Sequence, residues 1–299
     1  MANNTMQLFG GDWTEQKLKM LKQYLERYTT VLKKQKFRLA YIDAFAGTGY
    51  RQLKEGPSVQ RLLFKEIAEE EPQQFLDGSA RIALKVPLAF SCYVFIEMDK
   101  QRFAELEKLK TDFPERASSI ILRKGNANEW LQKYSGQVDW KEWRAVIFLD
   151  PFGMQIDWAT MEAIAKTQAI DVWILFPLGM AVNRLLTRDP AKIPQVWRNR
   201  LNRMFGSKDW FDTFYREEVS PNLLGEEKRV KKVGTIETIS GYYRQKLMSV
   251  FPKVAENPRI LRNSMNAPLF QMFFAAANPG RGGDIAIKIA QRILKEREA

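Results

Sequence analysis

The chain of 299 residues contains no histidine and a single cysteine, Cys92. These absences exclude disulfide scaffolds, zinc fingers, iron–sulfur clusters, zinc hydrolases and enzymes that use histidine as a general base. Long apolar runs are also missing, since no stretch approaches the roughly 20 residues that a membrane span needs. Residues 1–13 lack the basic and apolar regions of a signal peptide. We therefore expect a soluble, cytoplasmic protein without a membrane anchor.

Basic side chains are in clear excess. Lysine and arginine total 47 against 35 aspartates and glutamates, which gives a net charge of +12 and a pI near 9.6. Solubility alone does not require this excess, so an anionic partner such as a nucleic acid is favoured. With 45% apolar and 27% charged residues, the chain can also bury a large core.

Residues 1–36 are predicted to contain a basic amphipathic helix. Apolar residues between Leu18 and Leu32 recur every three or four positions, and Asp12 followed by Glu15 is typical of a helix start. The opposite face carries Lys17, Lys19, Lys22, Arg27, Lys33 and Lys34. This face either is solvated or contacts a nucleic acid, and both interpretations stay open.

Short apolar segments alternate with helical patterns along the rest of the chain, which is typical of a parallel sheet with helices on both faces. The predicted strands span residues 37–45, 92–97, 120–123, 145–149, 172–176, 259–262 and 269–276. We therefore predict an α/β fold with a mainly parallel, seven-stranded, Rossmann-like sheet. The predicted divisions are a core at 37–187 with an insertion at 51–89, a basic helical insertion at 188–258, and closing strands with a last helix at 259–299.

Two glycines follow the first predicted strand. Gly47 and Gly49 would allow a tight turn and a close approach of the backbone to a ligand. A dinucleotide fingerprint would continue with a third glycine where this chain has Gln52, so NAD and FAD are disfavoured. Asp43 argues in the same direction, because a carboxylate would face phosphates badly but can accept a hydrogen bond from an ammonium group.

Polar side chains follow the next two strands. Glu97, with Asp99 as a neighbour that could substitute for it, stands where an acid accepts hydrogen bonds from ribose hydroxyls. Asn126 follows the third strand and could read the edge of an adenine ring. Each of these side chains could instead cap a helix. Their occurrence at successive strand ends favours a nucleoside ligand.

The fourth strand ends in Asp150-Pro151-Phe152-Gly153. Methylation of an exocyclic amino group needs acceptors for both of its hydrogens, so that the nitrogen lone pair faces the methyl donor. Asp150 would supply one acceptor and the carbonyl of Pro151 the other, while Phe152 could stack on the base with on the order of 1–3 kcal/mol. The alternative is an ordinary aspartate–proline turn after a buried strand.

These residues, in this order, resemble the class I S-adenosylmethionine-dependent methyltransferases and, more closely, the three-Cys-motif partner (TcmP) family. The segments that carry the resemblance are WTEQKL from Trp13, YIDAFAGTG from Tyr41, GSA from Gly78, YVFIEMD from Tyr93 and FLDPFG from Phe148. The resemblance implies a class I methyltransferase fold with helical insertions and S-adenosyl-L-methionine as cofactor. It also implies a protein with a three-cysteine motif as a possible partner.

The resemblance assigns roles to individual residues. Residues expected to bind the cofactor are Asp43, Ala44, Phe45, Gly47, Gly49, Glu97, Asp99, Asn126 and Ala127. Among them, Asp43 would receive the ammonium group, Glu97 would hold the ribose, and Asn126 with Ala127 would contact the adenine. The catalytic residues would be Asp150, Pro151 and Phe152, and no metal is required.

The expected activity is methyl transfer to an exocyclic amino group of a nucleobase in DNA or RNA. Amino methyltransferases usually have a second proline where this chain has Phe152, and the tRNA guanosine N2-dimethyltransferases carry a similar Asp-Pro-Phe-Gly, so the acceptor base stays open. Basic residues that could grip a strand are Arg184, Arg188, Arg198, Arg200 and Arg203; Trp197 and Trp210 could join them or belong to the core. Two alternatives are a catalytically silent methyltransferase-fold protein that binds nucleic acid or a partner, and a carboxylate-metal nuclease using Asp43, Glu97, Asp99 and Asp150.

Overall fold

A computed structural model describes residues 12–46, 78–151, 153–222 and 225–296. The strands are β1 (Arg38–Asp43), β2 (Cys92–Glu97), β3 (Ile120–Lys124), β4 (Trp143–Leu149), β5 (Ile170–Phe176), β6 (Tyr215–Asn222), β7 (Gly225–Lys232), β8 (Lys253–Val254), β9 (Arg259–Arg262) and β10 (Pro268–Ala276). The α-helices are α1 (Asp12–Leu32), α2 (Gly78–Leu84), α3 (Lys100–Glu107), α4 (Leu109–Asp112), α5 (Ala127–Ser135), α6 (Trp158–Lys166), α7 (Gln195–Phe205), α8 (Trp210–Phe214), α9 (Ile236–Val250) and α10 (Arg281–Lys295).

The central sheet has the strand order β3-β2-β1-β4-β5-β10-β8, and β9 also pairs with β10. The first five strands of this order run parallel, whereas β10 is antiparallel to β5. The predicted mainly parallel, Rossmann-like α/β sheet is thereby confirmed, but in the described ranges it contains eight strands rather than the seven predicted, because the short strand β8 also pairs with β10. The order of the strands reverses between β1 and β4, and in open α/β sheets ligands bind outside the carboxyl ends of the strands at such a point.

Burial explains why the central strands are almost continuously apolar. Every residue of β5 is buried, as are five of the six residues of β1, because helices cover both faces of the sheet. Helix α1 completes one of these layers: Trp13 stacks on Phe270 with 4.8 Å between ring centres. The hydroxyl of Tyr24 donates a hydrogen bond to Asp171 Oδ2 at 2.7 Å. The first helix is therefore part of the core.

The region 188–258 is not wholly helical, contrary to the sequence prediction. Between helices α8 and α9, strands β6 and β7 form an antiparallel hairpin outside the central sheet, and the short strand β8 joins the central sheet beside β10. The hairpin escaped prediction because its strands are mainly charged and its two valines, Val219 and Val230, are exposed. An exposed two-stranded ribbon needs no apolar run. Trp197 and Trp210 are buried, so they belong to the core.

Two further predictions concern the remaining insertion and the membrane. Within the insertion at 51–89, residues 78–84 form α2, whereas residues 51–77 lie outside the described ranges. The division of the chain at 36, 187 and 258 stays a prediction.

Every helix in the described ranges is too short or too polar to cross a lipid bilayer.

Candidate functional site

A cavity of about 190 Å³ opens at the carboxyl ends of β1, β2 and β3. Six residues predicted from the sequence line it: Ala44, Phe45, Glu97, Asp99, Asn126 and Ala127. Gly125 also lines it and has a φ of +150°, a conformation that glycine adopts without steric cost. The sheet therefore brings the predicted strand ends together around one space at the point where the strand order reverses.

Glu97 is the most unusual side chain of this cavity. It is 5% exposed, and its Oε1 accepts a hydrogen bond from the backbone N–H of Asp99 at 2.8 Å, whereas its Oε2 is buried with no hydrogen-bond partner among the described residues. Burial raises the pKa of Glu97 to about 7, against the lowering effect of backbone hydrogen bonds and of Arg102. A buried carboxylate oxygen without a donor is costly, so it marks a place where a ligand can donate.

Asp99 and Asn126 act as helix caps. The side chain of Asp99 accepts hydrogen bonds from the backbone N–H groups of Gln101 and Arg102, each at 3.0 Å, at the start of α3. The side chain of Asn126 accepts one from the N–H of Asn128 at 2.9 Å, at the start of α5. The capping interpretation therefore holds for these two side chains, although both also line the cavity.

Asp43, the last residue of β1, is fully buried. Its Oδ2 accepts a long hydrogen bond of 3.5 Å from the hydroxyl of Tyr41, and the Ser79 side chain of α2 donates another to the carboxylate. Its Oδ1 is buried without a hydrogen-bond partner in the described part of the chain. Burial raises the pKa of Asp43 to about 7, the charge of Asp150 raises it further, and Lys17 opposes both. Asp43 is not among the described residues that line the cavity.

Asp150 is paired with a lysine that the sequence pattern assigned to a solvated or nucleic-acid-facing surface. The Nζ of Lys17 lies 2.6 Å from Asp150 Oδ2, with 6% of the lysine side chain and 24% of the aspartate side chain exposed. The interpretation of Lys17 as a surface residue is therefore wrong, while Lys19 and Lys22 on the same helix are exposed. The only sequence signal for this role is the position of Lys17 in the segment WTEQKL, which resembles the TcmP family.

Asn128, which no sequence motif singled out, holds the loop after β4 in place. Its amide donates to the carbonyl of Gln155 at 2.7 Å, and its Oδ1 accepts from the N–H of Asp157 at 2.9 Å and from the hydroxyl of Thr160 at 2.8 Å. This buried amide ties α5 to the segment that follows Asp150. The segment also supplies Gln155 and Asp157 to the lining of the cavity.

Two arginines of α7 form part of the cavity wall. Arg200 and Arg203 both line it, and Arg203 forms an ion pair with Asp157. Partial burial lowers the pKa of Arg200, the nearby charge of Arg203 lowers it further, and Asp157 opposes both. Two guanidinium groups thus lie close together at the rim of the cavity. Arg198, in contrast, donates to the carbonyls of Pro190 and Ile193, and so supports the loop before α7.

Three predicted site residues, Gly47, Gly49 and Phe152, lie outside the described residues. Pro151 is buried directly after Asp150. Within the described ranges, no three acidic or cysteine side chains converge on a point where they could hold a metal ion. The structure therefore gives no support to a carboxylate-metal nuclease site built on Asp43, Glu97, Asp99 and Asp150.

Comparisons with known proteins show only distant likenesses. No protein-family model and no curated protein matches the chain. Among solved structures, protein LPL1258 from Legionella pneumophila is 14% identical with a TM-score of 0.40, and the match covers 92% of this chain and 90% of that one. The provisionally assigned methyltransferase yhhF from Escherichia coli is 11% identical, with a TM-score of 0.30 and coverage of 70% and 85%.

Spermidine synthase from Thermotoga maritima is 10% identical, with a TM-score of 0.38; the match covers 96% of this chain and 66% of that chain. At identities and TM-scores this low, none of these three likenesses says what the present chain binds or catalyses. The fold rests on the strand order described above.

Proposed function

We propose that this chain is an S-adenosyl-L-methionine-dependent methyltransferase that modifies an exocyclic amino group of a nucleobase in DNA or RNA. One observation carries the proposal. The Oε2 of Glu97 is buried and has no hydrogen-bond partner among the described residues, and Glu97 lines a cavity at the point where the strand order reverses. The order of motifs that resembles the TcmP family supports the same cofactor. That resemblance also makes a three-Cys-motif protein a candidate partner.

The cavity fits the nucleoside part of this cofactor. Its volume of about 190 Å³ is smaller than the roughly 300–1,000 Å³ of pockets that enclose a whole drug-sized ligand, so it would take the adenosine end alone. Glu97 would accept hydrogen bonds from the ribose hydroxyls, and Asn126 and Ala127 would border the adenine. The Oδ1 of Asp43, which has no partner in the described ranges, would receive the ammonium group, directly or through water.

The residues after β4 would hold the methyl acceptor. The bound cofactor supplies an electrophilic methyl on a sulfonium; transfer forms a nitrogen–carbon bond, breaks the carbon–sulfur bond and releases one proton from the nitrogen. Asp150 would accept one hydrogen of the amino group and the carbonyl of Pro151 the other, which aims the nitrogen lone pair at the donor. The protein then contributes alignment and complementary charge, so no histidine or metal is required.

The arginines of α7 support a nucleic-acid substrate. Arg200 and Arg203 bring two positive charges to the rim of the cavity, where Asp157 balances one of them. Guanidinium groups can form bidentate hydrogen bonds with phosphate. Contacts with phosphate position a nucleic-acid strand without reading its sequence. The net charge of +12 provides long-range attraction for the same partner.

Substituting these arginines should weaken nucleic-acid binding and its salt dependence. For Arg200→Gln and Arg203→Gln, we expect the slope of log affinity against log salt to fall by about 0.7 for each phosphate of a single strand that the protein no longer neutralises. Fluorescence anisotropy with labelled single-stranded DNA and RNA measures this slope. Arg292→Gln, an exposed arginine of α10, is the matched control. If all three variants show the same slope as the native protein, the nucleic acid binds to another surface.

Two measurements test the proposed function itself. Calorimetry with S-adenosylhomocysteine should show binding to the native protein, and an absence of heat would remove the cofactor assignment. Incubation with tritiated S-adenosylmethionine and separate cellular DNA, RNA and protein fractions should label a nucleic-acid fraction. Label in protein alone would contradict the nucleobase assignment and keep the methyltransferase. Binding without label in any fraction would favour the catalytically silent alternative.

A further inference from the structure

Lys17 brings a buried positive charge to the acceptor end of the proposed site. Its Nζ lies 2.6 Å from Asp150 Oδ2, although the two residues are 133 positions apart in the sequence. The same Nζ lies 4.9 Å from the ring centre of Trp13, within the range of a cation–π contact. Trp13 is itself fixed, because it is buried and stacks on Phe270 of β10. The packing of α1 therefore holds this ammonium at the end of β4.

Stability does not explain a buried lysine at this position. Taking both charges of an ion pair out of water costs about as much as their attraction returns, and well-packed apolar residues of similar volume are often as stable. The buried face of α1 contains such residues at Met20 and Leu21. A lysine at position 17 therefore points to a use for its charge.

Lys17 lies within electrostatic reach of two carboxylates, Asp150 and Asp43. These two acids lie at the carboxyl ends of adjacent parallel strands. Asp43 is the last residue of β1 and pairs in register with Phe148 of β4, and Asp150 directly follows β4. The groups that face Asp43 are Tyr41 on β1, Ser79 on α2, Asp150 after β4 and Lys17 on α1. Within the described ranges, Lys17 is the one cation among these four groups. Two ionised carboxylates this close repel each other unless a cation lies between or beside them.

We propose that Lys17 is a positioning residue of the proposed methyltransferase site, whose ammonium orients the carboxylate of Asp150 and offsets the repulsion between Asp150 and Asp43. This inference rests on the proposed function. Lys17 occupies Oδ2 of Asp150, so the acceptor amino group would bind the other oxygen. With both carboxylates and Lys17 charged, the three groups carry a net charge of −1, which complements the single positive charge of the cofactor's sulfonium.

The pH dependence of S-adenosylhomocysteine binding tests this role without any methyl acceptor. Asp43 must be ionised to receive the ammonium group of the ligand, so affinity should fall as the pH drops through about 7, the pKa of Asp43. In Lys17→Met, the pKa of Asp43 loses a lowering influence, and we expect the fall in affinity to begin about one pH unit higher. In Asp150→Asn, a raising influence is lost, and the fall should begin at lower pH.

Controls separate this effect from a general loss of structure. Lys17→Arg keeps the charge and should keep the native curve, as should Lys22→Met on the exposed face of α1. Glu97 also has a pKa of about 7, but the charges that act on it are Arg102 and Asp99, so its contribution stays the same in each variant. Isothermal titration calorimetry gives the affinities, and thermal unfolding reports the fold.

The outcomes are distinct. Shifts of opposite sign in Lys17→Met and Asp150→Asn support the inference, because destabilisation alone cannot move the two curves in opposite directions. Native-like curves in both folded variants would overturn it and leave the proposed function intact. If the native protein binds no S-adenosylhomocysteine, the proposed function and this inference fall together. If Lys17→Met does not fold, a native curve in Asp150→Asn overturns the inference, whereas a shift to lower pH supports it.

Discussion

Replacing Asp150 with alanine is expected to lower methyl transfer about 10²–10⁴-fold while S-adenosylhomocysteine still binds. The reason is geometric, since Asp150 follows β4 outside the cavity lining and would contact the acceptor rather than the nucleoside. Without its carboxylate, one hydrogen of the amino group has no acceptor and the nitrogen lone pair loses its direction. Transfer of tritium to the nucleic-acid fraction measures the rate, and calorimetry measures the affinity.

The ion pair with Lys17 determines which control this experiment needs. Asp150→Ala deprives a buried ammonium of this partner, and breaking a buried pair from one side costs about 3–5 kcal/mol. Asp150→Ser leaves a hydroxyl for the ammonium and should fold more securely while it still loses most of the transfer. A folded Asp150→Ser protein with native turnover would remove Asp150 from the mechanism.

Replacing Glu97 with glutamine is expected to weaken S-adenosylhomocysteine binding about 10–100-fold, because hydrogen bonds to a charged acceptor are stronger than those to an amide. The same change should stabilise the free protein at pH 8. The pKa of Glu97 is raised to about 7 in the folded protein, so the stability present below pH 4.5 is lost as the pH rises towards 7. Glutamine avoids this loss, and the stabilisation should therefore vanish at pH 4.

Calorimetry and thermal unfolding at the two pH values check both effects of Glu97→Gln. Glu107→Gln, an exposed acid at the end of α3, is the control and should change neither quantity. A merely structural glutamate would give lower stability together with lower affinity. Native affinity in Glu97→Gln would show that the cavity holds no ribose in the proposed orientation.

Elements buried on both faces were predicted well from the sequence. Strands β2 and β9 occur at the predicted bounds, and the other predicted strands differ by a few residues at their ends. Burial on both faces requires continuous apolar runs, and such runs are visible in a sequence. The hairpin β6–β7 and the short strand β8 were not predicted, because charged, exposed or two-residue strands leave no apolar pattern.

The candidate site was predicted in part. The strand-end motifs singled out Glu97 and Asn126, and both lie beside one cavity because the carboxyl ends of parallel strands share an edge. Sequence spacing could not show that Asp99 and Asn126 cap helices, since a cap and a ligand-binding side chain use the same residue types. The prediction that Lys17 lies on the surface was wrong for a different reason. Helical periodicity indicates which face of a helix a residue occupies, but it cannot show that a carboxylate distant in sequence forms a buried ion pair with that residue.

The docking of α1 has a consequence for how the protein is made. This helix is synthesised long before its partners, since Tyr24 bonds to a residue 147 positions later and Trp13 packs against Phe270. Ribosomes add roughly 5–20 residues per second, so the apolar face of α1 waits many seconds without its sheet. During that interval chaperones can bind the exposed apolar face of the nascent helix. Ribosome-stalled chains that end before β10 should therefore be far more sensitive to protease than the released protein.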